Sequence, residues 1–475
     1  MKNNIFTKIF TTTNVVIKGI PIIFLCLFAL CIFLKSKLLL TPVALVCLLM
    51  VLGIVFISRC KQEKWILWLI AIFVIAFITR ILFIKIWPIT PLSDCEMAYK
   101  LSEHLNAVDI TKWHEVFAAN EYYYDVWPMH VPFVIFQTLC IRLLGSSVLS
   151  IQLVNMFFSA LTCVCVAICA EGLSKSKRVG IIAGLLMALN TTTLFMACFL
   201  VNQHVSTCFF IASMCFIIKK PFKTEILNYI FAGILLAVGH LLRPEMYIVV
   251  IAVLCMFIYE IIKGLSQNDK SKIINIIAKT LCFVLAFFAV IHIVNSMLLG
   301  LRWVDNSITT SKLEYKFMIG LNQETEGRFQ DADYPLAAND LAVKEVLKER
   351  ISGPIDTAKL MIKKLCFQFS SYNYWWLQAD KGGNLRQFVI NNIFEPLTQG
   401  YMFLIMVLAF VASIKMVKNT DKRISLLYII YIGFMCAFAL MEVQQRYAYI
   451  TIPIVTILAS MLFKSNTTGT IKSGK

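Results

Sequence analysis

The chain has 475 residues, 59% of them hydrophobic and only 15% charged, with a mean hydropathy of +0.78. A soluble domain is about 45–50% apolar and roughly 25% charged, so a soluble globular fold is excluded. The net charge is +17, from 44 Lys and Arg against 27 Asp and Glu, but most of these cations sit in short connections between apolar runs. The positive-inside bias explains them there, and a nucleic-acid partner is not implied.

Runs of about 20 apolar residues, enough to cross a hydrocarbon core of about 30 Å, recur along the whole length. They fall at 16–34, 38–58, 65–87, 148–172, 179–198, 203–218, 226–241, 244–262, 273–299, 397–417, 424–441 and 447–463. The pattern predicts an all-α polytopic membrane protein of about twelve helices. The first run follows Lys2, Lys8 and Lys18 and has no small-residue cleavage site, so it reads as a retained transmembrane helix and not as a removed signal. With a cytoplasmic N-terminus, the inner connections are "RCKQEK" (59–64), "SKSKR" (174–178), "KKPFK" (219–223), "KGLSQNDKSK" (263–272) and "KMVKNTDKR" (415–423), every one basic. Both termini are then expected inside, with the loop 88–147, "HLLRPE", the segment 300–396 and "EVQQR" outside.

"VPFVIFQTLCIRLLG" (131–145) is apolar but short and broken by Arg142. Counted as a span, it would send every later basic loop outside, so it is expected to lie at the outer interface. "CEMAYKLSEHL" before it has the pattern of an amphipathic surface helix. In 300–396, "AANDLAVKEVLKERI" and "PIDTAKLMIKKLCFQF" are helical by periodicity. The chain therefore divides into two N-terminal helices (1–64), a membrane core with outer loop 88–147 (65–299), a small, mostly helical outer segment (300–396), and C-terminal helices with a cytoplasmic tail (397–475).

Most of the 16 cysteines lie inside apolar segments, with neither zinc-ligand spacing nor a disulfide framework. No G-x-x-x-x-G-K-[ST] or G-x-G-x-x-G stretch occurs, which argues against ATP hydrolysis and nicotinamide chemistry.

The stretch "ITPLSDCEMAYKLSEHL" (89–105) carries Asp94 and Glu96 where the chain leaves a membrane helix. One reading is a capping box, with Ser93 as N-cap and Glu96 three residues on. The other is a catalytic pair, one acid taking a proton from an acceptor hydroxyl while the pair holds a divalent cation, Mg2+ or Mn2+, against a phosphate. Arg243 and Arg446, each at an outer helix end, offer planar forks for phosphate oxygens. Their alternative is an interfacial arginine paired with Glu245 or Glu442. Lys85 is a weaker cation candidate. Trp127, His130, His204 and Tyr447 are candidates for a substrate groove. Histidines so placed, His240 among them, are more often hydrogen-bonded interfacial residues, and Trp127 can equally be a membrane anchor. "YNYWWLQADKGGN" (372–384), with Trp375 and Trp376, reads as an aromatic belt.

The order "RILFIKIWPITPLSDCE", "YYYDVWPMHVPFVIF", "GHLLRPEMY" and "EVQQRYAYITIPIV" resembles the GT-C superfamily of integral-membrane glycosyltransferases. Its nearest likeness is to bacterial relatives of dolichyl-phosphate-mannose protein mannosyltransferases and of aminoarabinose–lipid A transferases. The resemblance runs from about residue 65 to 465 and implies a GT-C-like helical bundle. It implies a hexosyltransferase-type enzyme moving sugar from a polyprenyl-phosphate donor to an envelope lipid, glycan or protein on the extracytoplasmic face. Asp94 matches the family's acid, while Glu96 makes a D-x-E where other members have D-x-D or adjacent acids. A cell-membrane location in a bacterium is expected. A transporter or flippase of lipid-linked glycans and a non-catalytic membrane scaffold are the competing readings. The acids and arginines that gather at one surface favour chemistry there over passage through the membrane.

Overall fold

The computed structural model describes residues 2–35, 37–119, 124, 126–310, 312–370 and 383–464. The stretch around Trp375 and Trp376 lies outside the described residues. The fold is all-α. The first helices are α1 (Lys2–Lys35), α2 (Lys37–Ile57), α3 (Trp65–Ile86), α4 (Asp94–Ala107), α5 (Trp113–Ala118), α6 (Val131–Leu144), α7 (Val148–Ser174) and α8 (Lys177–Ala188). There follow α9 (Thr191–Met196), α10 (Gln203–Lys219), α11 (Glu225–Leu242), α12 (Tyr247–Ser266), α13 (Lys270–Gly300) and α14 (Leu313–Gly320). The last are α15 (Asp340–Arg350), α16 (Pro354–Ser370), α17 (Asn384–Val389), α18 (Glu395–Met416), α19 (Lys422–Leu440) and α20 (Ile452–Ser460).

Among the described residues, nine helices are long and apolar enough to cross a membrane, against the roughly twelve expected. Of the three runs not counted, 38–58 forms α2, of which Cys47–Ile57 is the apolar stretch fully described; the other two have a local cause. The run 179–198 breaks at Leu189 and Asn190, where the Asn190 side chain caps α9 by accepting from the Thr193 amide at 3.1 Å. The run 203–218 becomes α10, a 17-residue helix. The spans show apolar side chains on their outward faces: Ile66, Ile86, Phe56 and Ile293 are each at least 65% exposed. Lipid solvates such faces, so this is a multi-pass membrane protein.

Helix α6 packs along α4, and Arg142 shows why it is short. Its guanidinium donates to the carbonyls of Leu105 (3.2 Å) and Val108 (2.9 Å) and lies 5.1 Å from the centre of the Trp113 ring. It thereby closes the C-terminus of α4, where the last carbonyls lack helical partners. Ser102 joins the same two helices through the Val134 carbonyl and Gln137.

Arg80, in the span α3, is fully buried yet faces no carboxylate partner in its hydrogen-bond set. It donates to Ser159 (2.9 Å), Thr193 (3.0 Å) and the carbonyls of Ala76 and Ala188. These bonds tie α3 to α7, α8 and α9, and so hold the helix from which the Asp94 loop departs.

The segment that follows α13 docks through α14, whose Lys316 carbonyl accepts from the Glu442 amide at 3.0 Å, while the Gly327 carbonyl accepts from the Val443 amide at 2.8 Å. This approach needs Gly320. A Cβ there would lie 2.1 Å from the Leu440 carbonyl oxygen and 2.4 Å from the Met441 carbonyl carbon, both backbone. Gly320→Ala is expected to cost about 1–3 kcal/mol, the usual range for overpacking, read as a lowered midpoint of thermal unfolding in detergent. Gly353→Ala, with nothing within 4 Å of its Cβ, should leave the midpoint unchanged. Equal midpoints for the two variants would refute the docking described.

Candidate active site

Asp94 is the first residue of α4, placed there by Ser93, whose φ of 57° lies in a region that side chains rarely adopt. That turn rules out the expected capping box. Ser93 makes no side-chain cap bond; its carbonyl takes the amides of Glu96 (2.9 Å) and Met97 (3.1 Å) instead. Glu96 is corrected with it. Two residues apart on a helix means opposite faces, because each residue turns the chain by about 100°. Glu96 accordingly pairs with Lys100 one turn on, at 2.6 Å, and leaves Asp94 alone. Glu96→Gln is expected to leave any turnover within about twofold of wild type, since exposed pairs of this kind contribute little; a loss as deep as that from Asp94→Asn would reinstate the pair. Cys95, between them, faces the core, and burial pushes its thiol up to about 11, which leaves no thiolate nucleophile near neutral pH.

Asp94 meets a residue 352 positions away. Arg446 donates to its carboxylate at 3.2 Å and, through Nε, to Gln444 at 2.7 Å. Gln444 donates to Glu442 (2.5 Å), which receives Lys316 on its other oxygen (2.5 Å). Lys316 stands 5.3 Å over the Trp127 ring. Beside this chain, Arg243 bonds Glu245 and Asn202 (3.2 Å to the latter) and lies 5.1 Å over the Tyr447 ring. Its Nε and the second Glu245 oxygen are buried without a hydrogen-bond partner.

The Asp94 side chain keeps 54% of its surface open, against 12% for Arg446 and 1% for Glu442. Burial raises its pKa, but Arg446 above all, then His130 and Lys316, outweigh that and hold the carboxyl below the ordinary value. Burial pushes His130 down to about 4, so its imidazole is neutral near pH 7. Burial also works against the Lys316 charge, yet the oxygens of Tyr447 and Glu442 hold its pKa above that of an ordinary lysine.

The expected cations divide. Arg243 and Arg446 share one site, each with an acid: Arg243 takes Glu245 as considered, whereas Arg446 takes Asp94 and not Glu442. Lys85 is exposed in the last turn of α3, and no hydrogen bond or ion pair joins it to the cluster. Trp127 is buried against Tyr315 (5.4 Å, edge-on) and so forms the floor under Lys316, not an open groove wall. His204 is fully buried; its nitrogens face the Met196 carbonyl (3.0 Å) and the Tyr449 hydroxyl (2.8 Å), and it lines no groove. His130 and Tyr447 are half-buried within the cluster. Lys316 and Glu442 are the members that the sequence did not single out as site residues; the only signal was a lysine in the outer segment and an acid before "QQRY".

Asp94 and Glu96 diverge, each paired with a cation of its own, so they do not form a two-carboxylate seat for a divalent cation, and among the described residues no three His, Cys, Asp or Glu side chains gather. No step below is routed through one.

The fold and site thus define a polytopic helical membrane protein with a partly buried, charge-paired cluster at one end of its bundle. Residues 128–293 match the family model of dolichyl-phosphate-mannose-protein mannosyltransferases, so the resemblance seen in the sequence holds over that stretch, which includes His130 and Arg243 but neither Asp94 nor Arg446. No curated protein sequence matches the chain. Two solved structures from Archaeoglobus fulgidus are similar to it. One is the oligosaccharyltransferase AglB in complex with an inhibitory peptide and a dolichol-phosphate (TM-score 0.47, 13% identity, 83% of this chain and 50% of that one). The other is the apo oligosaccharyltransferase (TM-score 0.48, 13% identity, 85% and 51%). The chain spans about half the length of either.

Proposed function

We propose that the chain is a glycosyltransferase that moves a sugar from a polyprenyl-phosphate donor to a cell-envelope lipid, glycan or protein acceptor on the extracytoplasmic face. The observation that carries this reading is the Asp94–Arg446 pair, an acid and a phosphate-type cation brought together from distant parts of the chain. Arg243 and Lys316 stand close enough for their charges to act on the same surroundings. Support from kinship is the mannosyltransferase family match over 128–293.

The resting pair suits the chemistry. A donor phosphate competes with Asp94 for Arg446, and guanidinium binds either anion in the same fork. Once the phosphate takes Arg446, Asp94 is released as a stronger base. The acceptor hydroxyl oxygen then bonds to the anomeric carbon, and its proton passes to Asp94. The bond from that carbon to the phosphate oxygen breaks, its electron pair leaving with the polyprenyl phosphate, whose charge Arg446, Arg243 and Lys316 hold.

The test is a reconstituted assay with the full chain in liposomes, a panel of polyprenyl-phosphate sugars and membrane-extracted acceptors, following labelled sugar and released polyprenyl phosphate together. Equimolar release and transfer are expected with at least one donor. Transbilayer movement of intact lipid-linked sugar, with no release from any donor, would mark a flippase instead.

A further inference from the structure

The opposite end of the bundle holds a cavity of about 280 Å³ that the chemistry at Asp94 does not use. Helix α11 carries Arg243 just beyond its C-terminus and lines this cavity near its N-terminus through Tyr229. The stretch of this helix from Tyr229 to Arg243 therefore separates the two sites by about 20 Å, at about 1.5 Å per residue. Five cations line the cavity: Lys175 beyond α7, Lys219 and Lys220 at the end of α10, and Lys422 and Arg423 at the start of α19. No acid lines it. The apolar part of the wall is Ile217, Ile218, Met256 and the Tyr229 ring.

The carboxylates that balance these charges stand behind the lining. Glu171 takes Lys219, Glu225 takes both Lys220 and Lys279, Glu260 takes Lys422, and Asp421 takes Arg423. With Lys175, which enters none of these pairs, six cations meet four carboxylates, leaving an excess of two positive charges around the space. The backbone also prepares it. Lys175 and Lys220 both hold left-handed φ values (61° and 52°) at helix C-termini, and Arg423 donates to the carbonyls of Gly172 and Ile218 at 3.3 Å. The cations are therefore pinned around a concave space between helix ends, where a flat, solvated basic fringe would have none.

We propose that this cavity binds the phosphate of an anionic membrane phospholipid. Phosphate chemistry follows from several converging amines and one guanidinium with no acid facing them. The lipid as its source follows from position: the cavity opens between the ends of membrane helices, and an aliphatic and aromatic wall flanks the cations, as a glycerol backbone and the first acyl carbons require. The excess of two charges suits one phosphodiester with a share of its neighbours.

The test uses the full chain in detergent and in nanodiscs. Three probes are compared for thermal stabilisation and for adducts in native mass spectrometry: phosphatidylglycerol, phosphatidylcholine and inorganic phosphate. Phosphatidylglycerol should stabilise and remain bound; phosphatidylcholine should be weaker by roughly tenfold or more, since it carries no net charge and each juxtamembrane Lys or Arg is worth on the order of fivefold, and inorganic phosphate should be weaker because it has no apolar part to meet the aliphatic wall. Lys175→Gln, which breaks no ion pair described above, and Lys175→Gln with Lys220→Gln should weaken retention progressively. Arg446→Gln, at the other end, should not. The proposal is overturned if phosphatidylcholine binds as well as phosphatidylglycerol, if both lysine variants retain the lipid as wild type does, or if inorganic phosphate alone matches its effect. The last result would mark a site for a soluble anion.

Discussion

Asp94→Asn is expected to lower sugar transfer by roughly 10²- to 10⁴-fold, the range for removing a positioned general base, while donor binding is kept or tightened. Asparagine retains the shape of the side chain and an oxygen that Arg446 can donate to, so the loop and α4 should stay in place. What it cannot do is accept the acceptor proton. It also removes the negative charge that competes with the donor phosphate for Arg446, so affinity should not fall. Single-turnover transfer and equilibrium binding of the lipid-linked donor, measured on the same preparation, separate the two effects. Transfer at the wild-type rate would remove Asp94 from the mechanism, and a parallel loss of donor affinity would make it a binding residue.

Arg446→Gln should act on both sides of the pair. Losing a charge-assisted bond to phosphate should weaken donor binding roughly tenfold to a hundredfold, from about 1.5–3 kcal/mol. The second effect is on pH. Burial raises the Asp94 pKa and Arg446 lowers it, with the net result below the ordinary value of 3.8. Any stability from the pair is therefore present above that value and is lost as pH falls through the lower, folded-state value. In wild type, the acid limb of kcat/KM, which reports the free enzyme, should lie at lower pH than that of kcat, because bound phosphate withdraws Arg446 from Asp94. In Arg446→Gln the limb of kcat/KM should move up, toward that of kcat. An unmoved limb would mean that the titrating group is not Asp94.

Much of the fold was legible because it depends on composition summed over long windows. Long apolar runs mark most of the spans, and 131–145, set aside for its short length and for the charge of the loops that follow, forms a helix too short to be counted among them. The count of spans was less legible, since a single Asn190 accepting the Thr193 amide is enough to divide a run that hydropathy reads as continuous. Glu96 could have been set aside from sequence alone: once "SDCE" is read as a helix start, residues two apart cannot share a face. His204 misled because a histidine at a span's end looks the same in sequence whether it meets solvent or, as here, the Tyr449 hydroxyl.

Membrane character, the place of Asp94 at a helix start and the basic connections were thus determined by the sequence itself, because each rests on local chemistry or on averages along the chain. Which cation meets which acid was decided only by the tertiary structure. Arg446 reaches Asp94 across 352 residues, and Lys316 reaches Glu442 across 126, the latter where α14 approaches the end of α19 over Gly320. Charge has no preferred sequence separation. Partners are selected by which helix ends packing brings within a few ångströms, and packing is a property of the whole bundle.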